Sequence, residues 1–284
     1  MTEFLLSLLV GADAVVMTLV QDRTMGTPTL AAPFSAARNI ENTTNPSGSA
    51  QVLPAGRSHR AMRKYQIAYL RPDGASRWTE QIAPASPIFD SAFSAFAHGT
   101  LIHTPSGRIA VQDLDPGMTV STADDGDGTV LWVGSMTIVP AALGVDQAAG
   151  RMTRIMPDAF GLGRPESNLM AGPGARLLTR PPGLRDSFGQ DRVLTPATDL
   201  VDGMNAIEVI PPRPVTVYHL CLRRHAIIRA AGIEVETFHP GAGFDRAMGP
   251  RMVDLFLSLF PHVRKPADFG RTIHPRLPLQ GLTI

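Results

Sequence analysis

Turn signals fall so close together between Ala92 and Gly126 that only short extended segments fit between them. Gly99, the pair Pro105 and Gly107, the pair Pro116 and Gly117, and the acidic turn Asp124–Gly128 punctuate this stretch. Proline presets the backbone for the second position of a turn, and glycine tolerates the left-handed angles later in it. The runs between are extended in pattern: His98–His103, Arg108–Leu114, and Met118–Ser121 with its Val and Thr. Strand, turn, strand, turn, strand within about 35 residues predicts antiparallel β structure.

The same punctuation continues elsewhere. The 25 Pro and 26 Gly among 284 residues exceed average usage and favour short strands over long helices. Charged residues make up 18% and the net charge is +1, so no strong field for nucleic acid or an anionic membrane is expected. The single Cys221 excludes an internal disulfide and a multi-cysteine zinc site.

Taken in order, Phe4–Val20 is mostly apolar but falls short of a membrane span and carries Asp13 in its middle. It lacks the basic start of a secretory signal, so cytoplasmic retention is favoured over export. Arg23–Gly56 is rich in Thr, Ser, Asn, Pro and Gly without a sustained period, and residues 1–64 are expected to form a loosely held arm. The basic cluster Arg57, His59, Arg60, Arg63 and Lys64 reads as a solvated boundary. Residues 65–92 are expected as a hairpin, Tyr65–Leu70 and Ser76–Ile82 about an Arg-Pro-Asp-Gly turn, followed by a helix. That helix is predicted over Ser86–Phe96, where Ile88, Phe89, Ala92, Phe93 and Phe96 share helical spacing. Thr129–Val139 reads as a strand pair, and Val215–Phe238 as strand, turn, strand, glycine, strand.

The order of these pieces carries a resemblance. Phe96-Ala97-His98-Gly99-Thr100-Leu101-Ile102, then Thr104-Pro105-Ser106-Gly107, then Val111-Gln112-Asp113-Leu114-Asp115-Pro116-Gly117 resemble the opening of Hint domains. This is the self-processing module shared by hedgehog C-terminal regions and inteins, and the chain looks most like the bacterial proteins that carry it. The resemblance implies a mainly β, pseudo-twofold horseshoe over residues 93–241, extended by the hairpin and followed by a C-terminal helix and tail at 242–284. It also implies self-cleavage by an N-to-S/O acyl shift, and there this sequence departs from the pattern. The nucleophilic Cys or Ser corresponds to Ala95. In Asn168–Thr179, the motif Leu-x-x-Ser/Thr-Pro-x-His-Arg corresponds to Leu169 onward, with Gly172 for the hydroxyl residue and Ala175 for the His, while Pro173 and Arg176 are kept. His225 stands at the family's downstream His, and the terminal His-Asn-Cys corresponds to Glu236, Thr237 and Phe238. An acyl shift needs a nucleophile and groups that polarise the amide and protonate its nitrogen.

The expectation is therefore a Hint-like domain without catalysis, a structural or binding module that is not an enzyme and needs no cofactor. Two alternatives are kept: self-cleavage through unconventional residues, and a metal or hydrolytic site on His219, Cys221 and His225, with His239 nearby in sequence. Sliding the register to bring Ser94 to the nucleophile position would displace Phe96 and Gly99 from the motif and turn the strand over. The glycines at 161, 163, 172 and 174 lack the Lys-Ser/Thr tail of a phosphate loop and read as turns. Gly249–Pro261 is the clearest helix, apolar nearly all round. Burial in its own domain is favoured for it, with Met252, Leu255, Phe256 and Leu259 as the candidate face for a protein partner.

Overall fold

In β1 (Met62–Leu70) and β2 (Ser76–Pro84), side chains alternate across the strands, so Tyr65, Ile67 and Ala83 point together into the interior. The turn between the strands places Gly74 at φ 81°, and Asp73 Oδ1 accepts the Ala75 N–H at 3.0 Å. The structure is a computed structural model that describes residues 61–124, 126–140, 150–185 and 189–277. Most of the expected arm, with Arg57, His59 and Arg60, lies outside the described residues. Met62–Lys64 are the first residues of β1: Arg63 meets Asp90 at 3.4 Å and Lys64 meets Glu80 at 3.0 Å.

The helix predicted over Ser86–Phe96 is shorter. α1 spans Pro87–Ser91, and the chain then straightens into β3 (Phe96–Ala97). The apolar positions that imitate one helix face serve two cores. Phe89, Ala92 and Phe93 enter an aromatic cluster, whereas Ala95 and Phe96 enter an aliphatic one. β4 (Leu101–Thr104) and β5 (Gly107–Ala110) pair across the Pro105 turn, but Val111–Asp113 winds into a 3-10 turn where the sequence pattern suggested more strand.

β6 (Thr119–Ser121) leads into β7 (Asp127–Ile138), a single strand and not the predicted pair. Gly134 lies inside this strand, where packing requires it. A Cβ there would collide with the Trp132 indole and stand 2.6 Å from Phe93 Cδ1. The remaining strands are β8 (Met152–Ile155), β9 (Leu169–Ala171), β10 (Arg176–Thr179), β11 (Val193–Pro196), β12 (Ala206–Val209), β13 (Val215–Leu222), β14 (Ile227–Ala230) and β15 (Ile233–Glu236).

These strands make two antiparallel sheets, so the chain is mainly β, as expected. The larger runs β12-β8-β9-β3-β13-β7-β1-β2, with β6 also on β7; the smaller runs β11-β10-β15-β14-β4-β5. β7 is flanked by β13 and β1, which makes the N-terminal hairpin a continuation of the larger sheet.

α2 (Pro250–Ser258) starts with proline in its first turn and closes over the aromatic cluster. Trp132 is fully buried between Phe93 and Phe260, at centroid distances of 5.2 and 4.7 Å, and its indole N–H donates to Leu259 O at 2.8 Å. Each such ring pair adds about 0.5–1.5 kcal/mol beyond burial. Phe256 and Leu259, offered by the sequence reading to a partner, are fully buried in this core, and Met252 and Leu255 pack against it. The helix packs within its own domain, as favoured by the sequence reading. No helix among the described residues is long and apolar enough to cross a membrane.

Candidate functional site

The short strand β3 fixes the register of the whole site. Phe96 lies between Tyr218 on β13 and Ala171 on β9. The backbone beside it is fully engaged: Ala95 N–H donates to Tyr218 O at 2.8 Å, and Gly172 N–H donates to Ala95 O at 2.9 Å. Gly174 N–H reaches Ser94 O at 2.9 Å and Ser94 Oγ at 3.1 Å. The Ser94–Ala95 peptide, the one an acyl shift would break, is thus a bonded rung between β13 and the loop joining β9 to β10. With Phe96 held in this register, Ala95 is buried in the aliphatic cluster and Ser94 Oγ accepts the Gly174 N–H.

Gly172 and Gly174 are demanded by this closeness. A Cβ on Gly172 would collide with the Ser94 carbonyl oxygen and stand 2.8 Å from its carbon. A Cβ on Gly174 would meet Ser91 in the same way, 2.9 Å from its carbonyl carbon. Two stretches of backbone therefore touch where the family pattern has a hydroxyl side chain. Ala95 and Ala175 are both buried and belong to the aliphatic cluster, with Phe96, Ala171 and Leu177.

The other end of the family's site is polar and buried. β14 and β15 bring His225 against Glu236, with Nε2 and Oε1 2.7 Å apart. The Ile273 N–H donates to His225 Nδ1 at 3.1 Å. A ring nitrogen that accepts cannot carry the proton, so this bond places it on Nε2, facing the carboxylate. Glu236 also accepts from Arg276 Nε at 2.9 Å, and Arg176 stands 3.8 Å from its second oxygen. Burial, followed by the neighbouring Arg276, pushes Arg176 below the ordinary arginine range. Arg276 Nη2 additionally donates to His239 O at 2.6 Å.

Thr237 is fully buried, and its hydroxyl accepts the Ala226 N–H and donates to Ala226 O, both at 3.0 Å. Phe238, at the position of the family's second nucleophile, stacks on Phe260 with centroids 5.2 Å apart and planes at 7°. Its N–H donates to Leu220 O at 2.7 Å. Position 238 is thus part of the aromatic core.

His219 and Cys221 lie on β13, both buried. His219 sits edge-on to Phe96 and Phe238, at 5.9 and 5.3 Å. Burial, helped by the nearby arginines and His225, pushes its pKa down to about 3. Burial pushes the Cys221 thiol well above its usual range, so it stays protonated. Burial likewise takes His239 down to about 4; its Nε2 faces Gly270 O at 3.2 Å and its Nδ1 accepts the Gly241 N–H. Among the described residues, His219, Cys221 and His225 do not come together as a metal-binding group, and no other set of three such side chains does.

The network about Glu236 is the part sequence reasoning missed. Its partner Arg276 lies 40 residues on, in the tail. The tail reaches the site because Pro275 O accepts the Leu194 N–H and Leu277 N–H donates to Leu194 O, a parallel bridge to β11. No local period announces such a contact. The only sequence signal was the kept Arg176, whose charge called for a carboxylate.

With this geometry in view, the comparisons with known proteins fall into place. Residues 94–242 match the family described as the Hint domain, more than half of the chain, and the chain belongs to that family. Two solved structures are similar over 51% of this chain and 99% of their own length, each at a TM-score of 0.36. One is a bacterial intein-like domain from Clostridium thermocellum, at 14% identity. The other is a splice-inactive variant of the AceL NrdHF class 3 split intein, at 10% identity. No curated protein matches the sequence.

Proposed function

We propose that this Hint domain is catalytically silent and acts as a structural or binding module. The observation that carries the reading is the contact of Gly172 with Ser94, backbone against backbone, beside the peptide that the family's reaction would break. An acyl shift needs an attacking atom on residue 95, and Ala95 carries only a methyl group. It needs donors that gain strength as the amide distorts, and Gly172 and Ala175 offer no side chain for that work. Further support comes from the downstream end, where Thr237 bonds Ala226 and Phe238 is stacked in the core.

The test is the intact mass of the purified chain over a day, with and without added thiol. A single species at full mass is expected. Fragments ending at Ser94 or beginning at Phe238 would overturn the reading in favour of self-cleavage by unconventional residues.

A further inference from the structure

β2 ends the larger sheet: it pairs with β1 on one side, and no other described strand takes its free edge. Two backbone bonds fix which residues face that edge. Arg71 N–H donates to Ala75 O at 2.9 Å, and Ala85 N–H donates to Ala61 O at 2.8 Å. Bonded and unbonded pairs alternate along an antiparallel ladder. The odd-numbered residues of β2 therefore bond to β1, and the backbones of Ser76, Trp78, Glu80 and Ile82 present N–H and C=O groups to the free edge. The same even residues place their side chains on the outer face, where Trp78 is 61% and Ile82 66% exposed. The opposite face is anchored: Gln81 Nε2 donates to Ser258 O and Ser258 Oγ donates to Gln81 Oε1, each at 3.0 Å. The strand is thus long, held in place and apolar outward, the kind of edge that pairs with another strand.

The sequence of β2 also states which strand. Glu80 is the midpoint of Ser76–Pro84, and Trp78 and Ile82 lie symmetrically about it. We infer that β2 pairs antiparallel with β2 of a second copy, about a twofold axis through residue 80, making a dimer with one continuous sheet. In that register Trp78 faces Ile82 of the partner twice over, an aromatic on a β-branched residue, which is a favourable cross-strand pair. On the inner side, Thr79 faces Gln81 and Arg77 faces Ala83. The edge-facing N–H and C=O groups of residues 78, 80 and 82 meet each other's complements. Pro84, which has no N–H to give, falls at the strand's end. Glu80 faces its own copy, and each carboxylate is drawn back toward β1 by Lys64 at 3.0 Å and the Gln66 amide at 3.1 Å. The pairing needs no catalysis and suits a module whose role is assembly.

The test uses the full chain. Sedimentation is expected to show a dimer whose population rises with concentration, and Ile82→Lys is expected to raise its dissociation constant about tenfold or more, the scale of two lost cross-strand pairs. Glu80→Cys gives a second reading. Bonded partners in an antiparallel pair lie about 5.5 Å apart at Cα, inside the disulfide range of about 4.4–6.8 Å. Mild oxidation should link Glu80→Cys to its copy and leave Ser76→Cys unlinked, with the buried Cys221 silent in both. Hydrogen exchange at Trp78, Glu80 and Ile82 should slow as concentration rises. A monomer at every concentration, a dimer indifferent to Ile82→Lys, or equal linking by Ser76→Cys would overturn the inference. So would edge protection that ignores concentration, since a segment of the same chain would then occupy the edge.

Discussion

The two ends of the family's site depart from its pattern by different physical routes. Upstream, side chains are absent and backbone fills the space: Ser94–Ala95 lies against Gly172 and Gly174, within an aliphatic core. Downstream, polar side chains remain but are bonded to one another: His225 to Glu236, Glu236 to Arg276, and Thr237 to Ala226. At the first end, Ser94 backbone occupies the space a side chain on Gly172 would need. At the second, His225, Glu236 and Thr237 each already bond a neighbour or the tail. A site closed by packing resists the return of its missing side chains, whereas one closed by pairing is opened by removing a partner.

That contrast can be broken in graded steps. The largest effect is expected from Gly172→Thr, which returns the family's hydroxyl but drives a Cβ into the Ser94 carbonyl. It should destabilise by about 3 kcal/mol or more, or prevent folding, because backbone on both sides cannot yield as a flexible side chain would. Urea unfolding measures this, and a loss below about 1 kcal/mol would mean the two stretches part easily. Next comes Arg276→Ala. It leaves the buried Glu236 with the more distant Arg176 and should cost up to about 3–5 kcal/mol, the range for a broken buried ion pair. Arg276→Ala should also speed hydrogen exchange at Ile273 and Leu277, whose N–H groups bond His225 Nδ1 and Leu194 O. Thr237→Val should cost about 1–3 kcal/mol, because it keeps the shape but strands the Ala226 N–H inside the protein.

The smallest effect sharpens the comparison through pH. Burial holds His219 at about 3 and His239 and His262 at about 4, below the ordinary 6.5. At these three residues the unfolded chain therefore binds more protons than the folded one as pH falls below 6.5, so their contribution lowers stability until about 4 for His239 and His262 and about 3 for His219. Nδ1 of His262 is buried with no partner, so His262→Phe removes a titrating group without removing a bond at that atom. Its melting temperature should decline less between pH 6.5 and about 4 than that of the parent chain. An unchanged slope would place the acid sensitivity elsewhere.

Much of this fold was legible from local chemistry. Pro-Gly turns and β-rich runs marked the hairpins, and ordered motifs from Phe96 to Gly117 marked the family before any geometry was known. What was not legible depended on distant partners. The helical spacing through Phe96 hid a switch between two cores after Phe93. The strand pair expected over Thr129–Val139 is one strand, and nothing local reveals the Trp132 indole that packs over its Gly134. Ala95, Gly172 and Ala175 were readable as missing groups, but that the glycines are enforced by Ser94 and Ser91 needed the packed backbone. The tail's contribution at Ile273 and Arg276 depended on a bridge to Leu194, which has no sequence signature.

The claim that packing closes the upstream end is tested most directly by Ala95→Cys, which returns the thiol with little added bulk. Intact mass would be followed in the presence of thiol and of hydroxylamine, which release a thioester if one forms. The account predicts one species at full mass, because the Ser94–Ala95 peptide stays bonded through its N–H to Tyr218 O and through its carbonyl to the Gly174 N–H. Fragments parting between Ser94 and residue 95 would contradict it and would mean that the domain lacked only its nucleophile.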